Sequence, residues 1–263
     1  MNGRTLSDLY RDHDYFMITA HRGASFEFPE NTALAMRKAV EAGADMIEFD
    51  LRGTADGVPV LLHDETIDRT SDGHGMPEDL LLSELRKFRF SFWLQGMRRD
   101  EPAMEDVTIP TFEEILSEFR GKVAMNIQVY AKNEALLKEI CRLFRVFDMY
   151  DHGYFTVTPD QADVVRKLDP DIEFCVTEGW ETRSDPEVLR RAREKYGCRF
   201  VQPVRDFSGG ETFRRIRELD MRANVFFADE PEQMQELRAM GAQGILTNRA
   251  YRMCTNRPAP QKP

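Results

Sequence analysis

The chain has 263 residues, enough for one large domain or two small ones, and its 41% apolar and 31% charged residues with 16 Gly and 13 Pro exclude a disordered or low-complexity chain. Lys plus Arg (36) against Asp plus Glu (46) leaves a net charge of −10, and the short basic pairs Arg98-Arg99 and Arg214-Arg215 sit among acids, so a nucleic-acid partner is excluded. No apolar run approaches the roughly 18 residues that span a bilayer, and the polar residues 1–14 lack the apolar stretch of a secretory signal, which predicts a cytoplasmic protein.

Short β-rich runs alternate with stretches of helical period. In chain order the predicted elements are strand 16–20, helix 32–42, strand 45–51, helix 112–119, strand 123–129, helix 134–147, strand 154–157 and helix 159–168. Strand 172–176, helix 186–196, strand 200–202, helix 210–219, strand 224–227, helix 231–240 and strand 244–247 follow. Asn31, Thr158 and Asp185 precede three of the helices and are side chains of the kind that cap an N-terminus, whereas Glu230 is a poor cap. Eight strands in about 250 residues predict an α/β chain folded as a (β/α)8 TIM barrel. A doubly wound sheet would more often carry a Gly-rich dinucleotide turn, and none is found. The chain reads as one barrel domain over residues 1–263, with an insertion at about 52–110 between the second strand and its helix. A hairpin signal, Ala55-Asp56-Gly57, opens the insertion, and residues 257–263 read as a frayed tail. Cys141, Cys175, Cys198 and Cys254 are scattered without a Cys-x-x-Cys pair and read as reduced, structural residues.

In such a barrel the chemistry sits where the strands end. The first strand runs into His21-Arg22-Gly23, a proton-transfer group and an anion clamp ahead of a sharp turn. In the second strand Glu48 and Asp50 stand at i and i+2 on one face, about 6.5 Å apart along the backbone, amid the apolar Met46, Ile47, Phe49 and Leu51. Two enclosed carboxylates repel unless a divalent cation lies between them, and Mg²⁺ or Ca²⁺ suits oxygen ligands. The hairpin returns His63 toward the same mouth, giving a second imidazole. His13, His74 and His152 have no such context and read as surface or loop residues.

His21-Arg22-Gly23-Ala24, Pro29-Glu30-Asn31-Thr32, Gly43-Ala44-Asp45, Glu48-Phe49-Asp50, Asp56-Gly57-Val58-Pro59-Val60 and His63-Asp64 with Asp68-Arg69-Thr70 resemble, in order and spacing, the glycerophosphodiester phosphodiesterase family. The resemblance resumes at Ile109-Pro110-Thr111-Phe112-Glu113-Glu114 and Asn126-Ile127, and weakly over residues 241–248. It implies a (β/α)8 barrel with a small insertion after the second strand, and hydrolysis of a small-molecule phosphodiester. It further implies His21 and His63 as acid and base, Arg22 as the phosphate contact, Glu30 as a site acid that positions these groups beside the substrate, and Glu48 and Asp50 as ligands to Mg²⁺ or Ca²⁺. Where the family's third strand ends Asn-Ile-Glu-Ile-Lys, this chain reads Asn126-Ile127-Gln128-Val129-Tyr130. Gln128 then stands at the third metal-ligand position, and Tyr130 replaces a substrate-contacting Lys. Losing an acid and a base together preserves the local charge balance, as expected if both face the mouth. Two further departures are Phe226-Phe227-Ala228-Asp229 for Trp-Thr-Val-Asn and Thr247-Asn248 for Thr-Asp.

Three activities compete. The first is metal-dependent hydrolysis of a glycerophosphodiester-like substrate. The second is a catalytically degenerate barrel that binds a phosphodiester or polar head group, for which the lost acid and base speak and the two histidines do not. The third, a glycosidase using Glu48 and Asp50, needs carboxylates on opposite sides of a sugar bond, which one face of one strand supplies poorly. Neither the alcohol groups of the diester nor the oligomeric state can be read from the sequence.

Overall fold

The computed structural model describes residues 3–131 and 133–259. Its elements begin with α1 (Leu6–Arg11), β1 (Met17–His21), α2 (Ala33–Ala42), β2 (Met46–Gly53), β3 (Pro59–Leu61), α3 (Leu82–Leu85), β4 (Trp93–Leu94), β5 (Met97–Arg98), α4 (Phe112–Phe119) and β6 (Ala124–Val129). They continue with α5 (Glu134–Val146), β7 (Gly153–Val157), α6 (Pro159–Leu168), β8 (Phe174–Val176), α7 (Pro186–Glu194), β9 (Phe200–Val201), α8 (Gly210–Glu218), β10 (Arg222–Ala223), α9 (Pro231–Ala239), β11 (Gly244–Thr247) and α10 (Ala250–Thr255). The fold is a (β/α)8 TIM barrel. Parallel strands run in the order β11-β1-β2-β6-β7-β8, and β9 and β10 form a separate parallel pair. Bridges Val225 to Ile245 and Val204 to Phe226 tie the chain after that pair to its neighbours. The register aligns His21 with Glu48, Glu48 with Asn126, and Asp50 with Gln128, so the strand ends deliver these side chains at neighbouring levels.

Local chemistry explains the elements. Thr32 accepts from the Ala35 N–H at the start of α2, and Thr111 and Thr158 form capping boxes with Glu114 and Gln161. In α5 the buried Leu136, Leu137, Ile140, Cys141, Leu143 and Phe144 follow the 3.6-residue period and face the main core between sheet and helices. A Cβ on Gly23, whose φ is +80°, would lie 2.6 Å from the Ala35 carbonyl carbon, so only Gly lets the end of β1 turn this close to α2.

Two smaller cores flank the main one. Leu6 and Leu9 of α1 pack with Met17, Met46, Ala124, Tyr154, Cys175 and Phe200, each the first or second residue of its strand, and close the barrel's N-terminal end. In the insertion β3 pairs antiparallel with β2, Leu51 opposite Leu61, and Val60, Leu62, Ile67, Leu85, Phe90 and Ile109 form a core of their own.

The structure corrects several expectations. Helices α1 and α10 stand where none was predicted. Asn31 does not cap α2; it adopts a left-handed φ of 55° and turns its amide to Asp50. The Asp185 side chain caps nothing in α7. Ladder pairing in the seventh strand falls on Arg222–Ala223, earlier than predicted. Arg257 is anchored, donating to Asp45 Oδ2 at 2.6 Å and to the Gly43 carbonyl at 2.7 Å, so the expected fraying does not begin there. Residues 260–263 of the predicted tail lie outside the described residues. Among the described residues no helix is long and apolar enough to cross a membrane.

Candidate active site

Two adjoining hollows open at the C-terminal end of the strands and share Arg22 and His63 in their walls. The inner one, about 240 Å³, is lined by His21, Glu48, Asp50, Gln128 and Tyr130 among others. The outer one, about 520 Å³, is lined by Glu30, Asp64, Arg69, Trp93 and Arg249 among others. The barrel thus brings every residue singled out in the sequence to one region.

Each carboxylate is held by named partners. The Arg22 N–H donates to Glu48 Oε2 at 2.9 Å from a backbone with φ 56°, a left-handed geometry that an Arg adopts only under constraint. Its guanidinium bonds Glu30 Oε1 at 2.9 Å and pairs with Asp50 Oδ2 at 3.2 Å. Asn31 donates to the same Asp50 oxygen at 2.8 Å. Glu30 also accepts two bonds from Arg69, both at 2.8 Å, so its two oxygens lie between two guanidiniums. Burial alone would raise the Glu30 carboxyl, but Arg69 and Arg22 outweigh it and lower it to about 2. Glu48 behaves oppositely: burial, then the Asp50 charge, raises it well above the carboxylate range despite Arg22.

The two histidines are set differently. His21 is 8% exposed, and its Nδ1 lies 2.8 Å from Asn248 Oδ1. The Asn248 amide orientation is fixed, because its NH₂ faces Asp229 Oδ2 at 2.7 Å and a carboxylate only accepts. Oδ1 therefore faces His21, Nδ1 carries the proton, and neutral His21 keeps its lone pair on Nε2. Burial, followed by the nearby Arg22 charge, lowers the His21 pKa to about 4. His63 is half-buried, and its Nδ1 lies 2.7 Å from Asp64 Oδ1, a carboxylate placed to accept from that nitrogen. Asp64 is held below the usual carboxylate range by His63 first and Arg69 next. Edge-to-face contacts place Phe226 5.0 Å from His21 and Tyr130 5.5 Å from His63.

Asn248, Asp229, Arg69 and Asn31 were not predicted as site residues. Asn31 and Arg69 stood within the motifs Pro29-Glu30-Asn31-Thr32 and Asp68-Arg69-Thr70 with no role attached, and nothing local ties His21 to Asn248, 227 residues away in the chain. For Asp229 and Asn248 the available signal was the paired departure at positions 229 and 248, where Asp and Asn stand for the Asn and Asp of the resembled pattern. Hydrogen bonds from the Asn248 N–H and NH₂ to Asp229 put the two positions in direct contact.

Among the described residues no group of three or more His, Cys, Asp or Glu is arranged to hold a metal ion. The donors available are two carboxylates and one amide. Arg22 and Asn31 occupy Glu48 Oε2 and Asp50 Oδ2, and no bond from the described residues reaches Glu48 Oε1 or Asp50 Oδ1. The Gln128 NH₂ lies 3.4 Å from the Thr156 carbonyl, which leaves its Oε1 unengaged. Three uncommitted oxygens beside a carboxyl strained by burial fit a hard divalent cation.

A barrel whose strand ends gather paired imidazoles, carboxylates and arginines is the architecture of a hydrolase acting on an anionic ester. The sequence profile of the glycerophosphoryl diester phosphodiesterase family matches residues 21–251, and the chain belongs to that family and is a phosphoric diester hydrolase. Among curated proteins, YhdW of Bacillus subtilis is 40% identical over 237 residues, covering 88% of this chain and 93% of that one. Human glycerophosphodiester phosphodiesterase 1 is 42% identical over 110 residues, 42% of this chain and 32% of its own. A solved glycerophosphodiester phosphodiesterase from Agrobacterium tumefaciens superposes with a TM-score of 0.77 at 21% identity, covering 91% of this chain and 99% of that one. A phosphodiesterase from Oleispira antarctica, solved with its product sn-glycerol-3-phosphate, gives 0.75 at 20% identity, covering 91% and 96%.

Proposed function

We propose that the chain hydrolyses a glycerophosphodiester-like substrate to an alcohol and a phosphomonoester, with the phosphoryl group in the inner hollow between His21 and His63. The observation that carries this reading is the opposed setting of the two imidazoles. His21 is buried beside a cation with Nε2 unprotonated, which suits a base; His63 is paired with a carboxylate, which suits an acid.

His21 Nε2 takes the proton of the attacking hydroxyl, either water or the neighbouring hydroxyl of the glycerol moiety, and in the latter case a cyclic phosphate forms first. His63 delivers a proton to the departing alkoxide as its P–O bond breaks. Arg22, Glu30 and Tyr130 frame the substrate: Glu30 holds Arg22 and Arg69 in place, and the phenol of Tyr130 closes the wall opposite. Glu48, Asp50 and Gln128 Oε1 are the residues that would hold Mg²⁺ or Ca²⁺, whose charge polarises a phosphoryl oxygen.

Turnover of a chromogenic phosphodiester by the intact chain, with and without chelator, tests the reading. EDTA should abolish turnover and Mg²⁺ or Ca²⁺ restore it, with Glu48→Gln and Asp50→Asn raising the metal concentration required. Full activity after chelation would remove the metal from the account, and no turnover under any metal would favour a barrel that only binds.

A further inference from the structure

The arginines lining the two hollows differ in one respect. Arg22 pairs with Glu30 and Asp50 at 2.9 and 3.2 Å, Arg69 with Glu30 and Asp64 at 2.8 and 2.6 Å, and Arg249 with Glu230 at 2.9 Å. Arg183 has no carboxylate partner among the described residues. It comes from the short 3₁₀ turn Glu181–Ser184 after β8 and lines the inner hollow together with His21, His63 and Tyr130. Its Nε donates to the Gly179 carbonyl at 3.2 Å, and its guanidinium carbon lies 5.3 Å from the Trp180 ring. Neither Nη has an acceptor among the described residues.

The surroundings restrain this side chain. Trp180 meets Phe226 edge to face at 5.0 Å, and Phe226 meets His21 at the same distance, so one aromatic wall carries both the guanidinium and the imidazole. Burial without a counter-anion lowers the Arg183 pKa from its ordinary value. Gln128 of β6 and Tyr130 just after it line this hollow, and neither brings a carboxylate to it. A cation in the wall of the same hollow as Glu48 and Asp50 yet bonded to neither has its fork free, and a guanidinium fork matches two oxygens of one phosphoryl group.

We propose that Arg183 binds nonbridging phosphoryl oxygens in the inner hollow and sets the affinity for the phosphodiester. The proposal rests on the reading that this hollow holds the phosphoryl group, so the test measures binding and turnover separately on the intact chain. Calorimetric titration with inorganic phosphate and steady-state kinetics with bis(4-nitrophenyl) phosphate are compared for wild type, Arg183→Gln and Arg183→Lys, with a melting curve for each. Loss of a charge-assisted bond should weaken phosphate binding and raise KM by about tenfold or more in Arg183→Gln, with kcat changed less than about threefold, and Arg183→Lys should recover part of the loss. If Arg183→Gln does not fold, Arg183→Lys carries the test, since it keeps the charge and removes the fork: unchanged phosphate affinity and KM would overturn the proposal. Folded variants that match wild type in both measurements would overturn it while leaving the hydrolase reading intact. Phosphate binding that depends on Arg183 in a wild type without turnover would support the anion site and sink the hydrolase reading instead.

Discussion

The two ends of the barrel both bury arginine, and they treat it differently. At the N-terminal end Arg222 is fully buried, and its Nη atoms donate to the carbonyls of Leu9, Asp12, Tyr15 and Gln243, stitching α1 and the following turn to the strands. Burial lowers its pKa to about 10, and Arg222 lines neither of the two hollows at the opposite end. At the C-terminal end the polar groups keep atoms in reserve: Glu48 Oε1, Asp50 Oδ1 and the Arg183 Nη pair make no hydrogen bond to the described residues, and His21 Nε2 has only Glu48 Oε2 nearby, at 3.9 Å. Buried charge therefore does not mark the functional end of this molecule; uncommitted atoms around an open volume do.

If that contrast holds, damage at the two ends reads out differently. Arg222→Ala should have the largest effect, a stability loss of about 4 kcal/mol from a cavity and orphaned carbonyls, with kcat per folded molecule unchanged. Denaturant melts paired with active-site titration check it, and an equal loss of kcat would erase the distinction. Glu30 carries the next effect. Its carboxyl is lowered from 4.5 to about 2, so it adds about 3 kcal/mol of stability that is fully present above pH 4.5 and is lost as pH falls toward 2. Glu30→Gln should flatten the stability profile across that window, and an unchanged acid limb would show that Arg22 and Arg69 do not hold it.

His21→Ala and His63→Ala should each lower turnover at least about a hundredfold, roughly 2.7 kcal/mol in the barrier, with melting temperatures near wild type. Near-normal turnover in either folded variant would remove that imidazole from the chemistry. Asp229→Ala should be mildest, about tenfold in kcat with little change in KM, because it frees the Asn248 amide to rotate and His21 to change tautomer. A shifted pH–rate profile should accompany the loss, whereas a change in KM alone would assign Asp229 to substrate contact.

Much of the catalytic end was legible because strand ends are local. Ile47-Glu48-Phe49-Asp50 and Ala20-His21-Arg22-Gly23 declare a buried strand, its exit and its polar cargo within a few residues. The hairpin signal at Ala55-Asp56-Gly57 likewise predicted that His63 returns beside β2, as the Leu51–Leu61 register shows. What was illegible depends on contacts between distant segments. Arg183 in its short turn reads as one more surface charge until Trp180, Phe226 and the hollow are placed around it. Asn31 carries the composition of a helix cap, but the carboxylate of Asp50, 19 residues away, claims its amide and leaves capping to Thr32. α1 escaped notice because six residues with two buried leucines make too short a period to detect, and its packing partners are the starts of strands far along the chain.

The central claim is that this hollow cleaves a phosphodiester through its two histidines. ³¹P NMR of a glycerophosphodiester incubated with the intact chain and Mg²⁺ or Ca²⁺ tests it most directly, because the diester resonance and the monoester that replaces it are read in one spectrum. The account predicts that wild type converts diester to monoester while folded His21→Ala and His63→Ala leave the diester standing. Persistence of the diester with wild type, or conversion at equal rates by all three proteins, would contradict it.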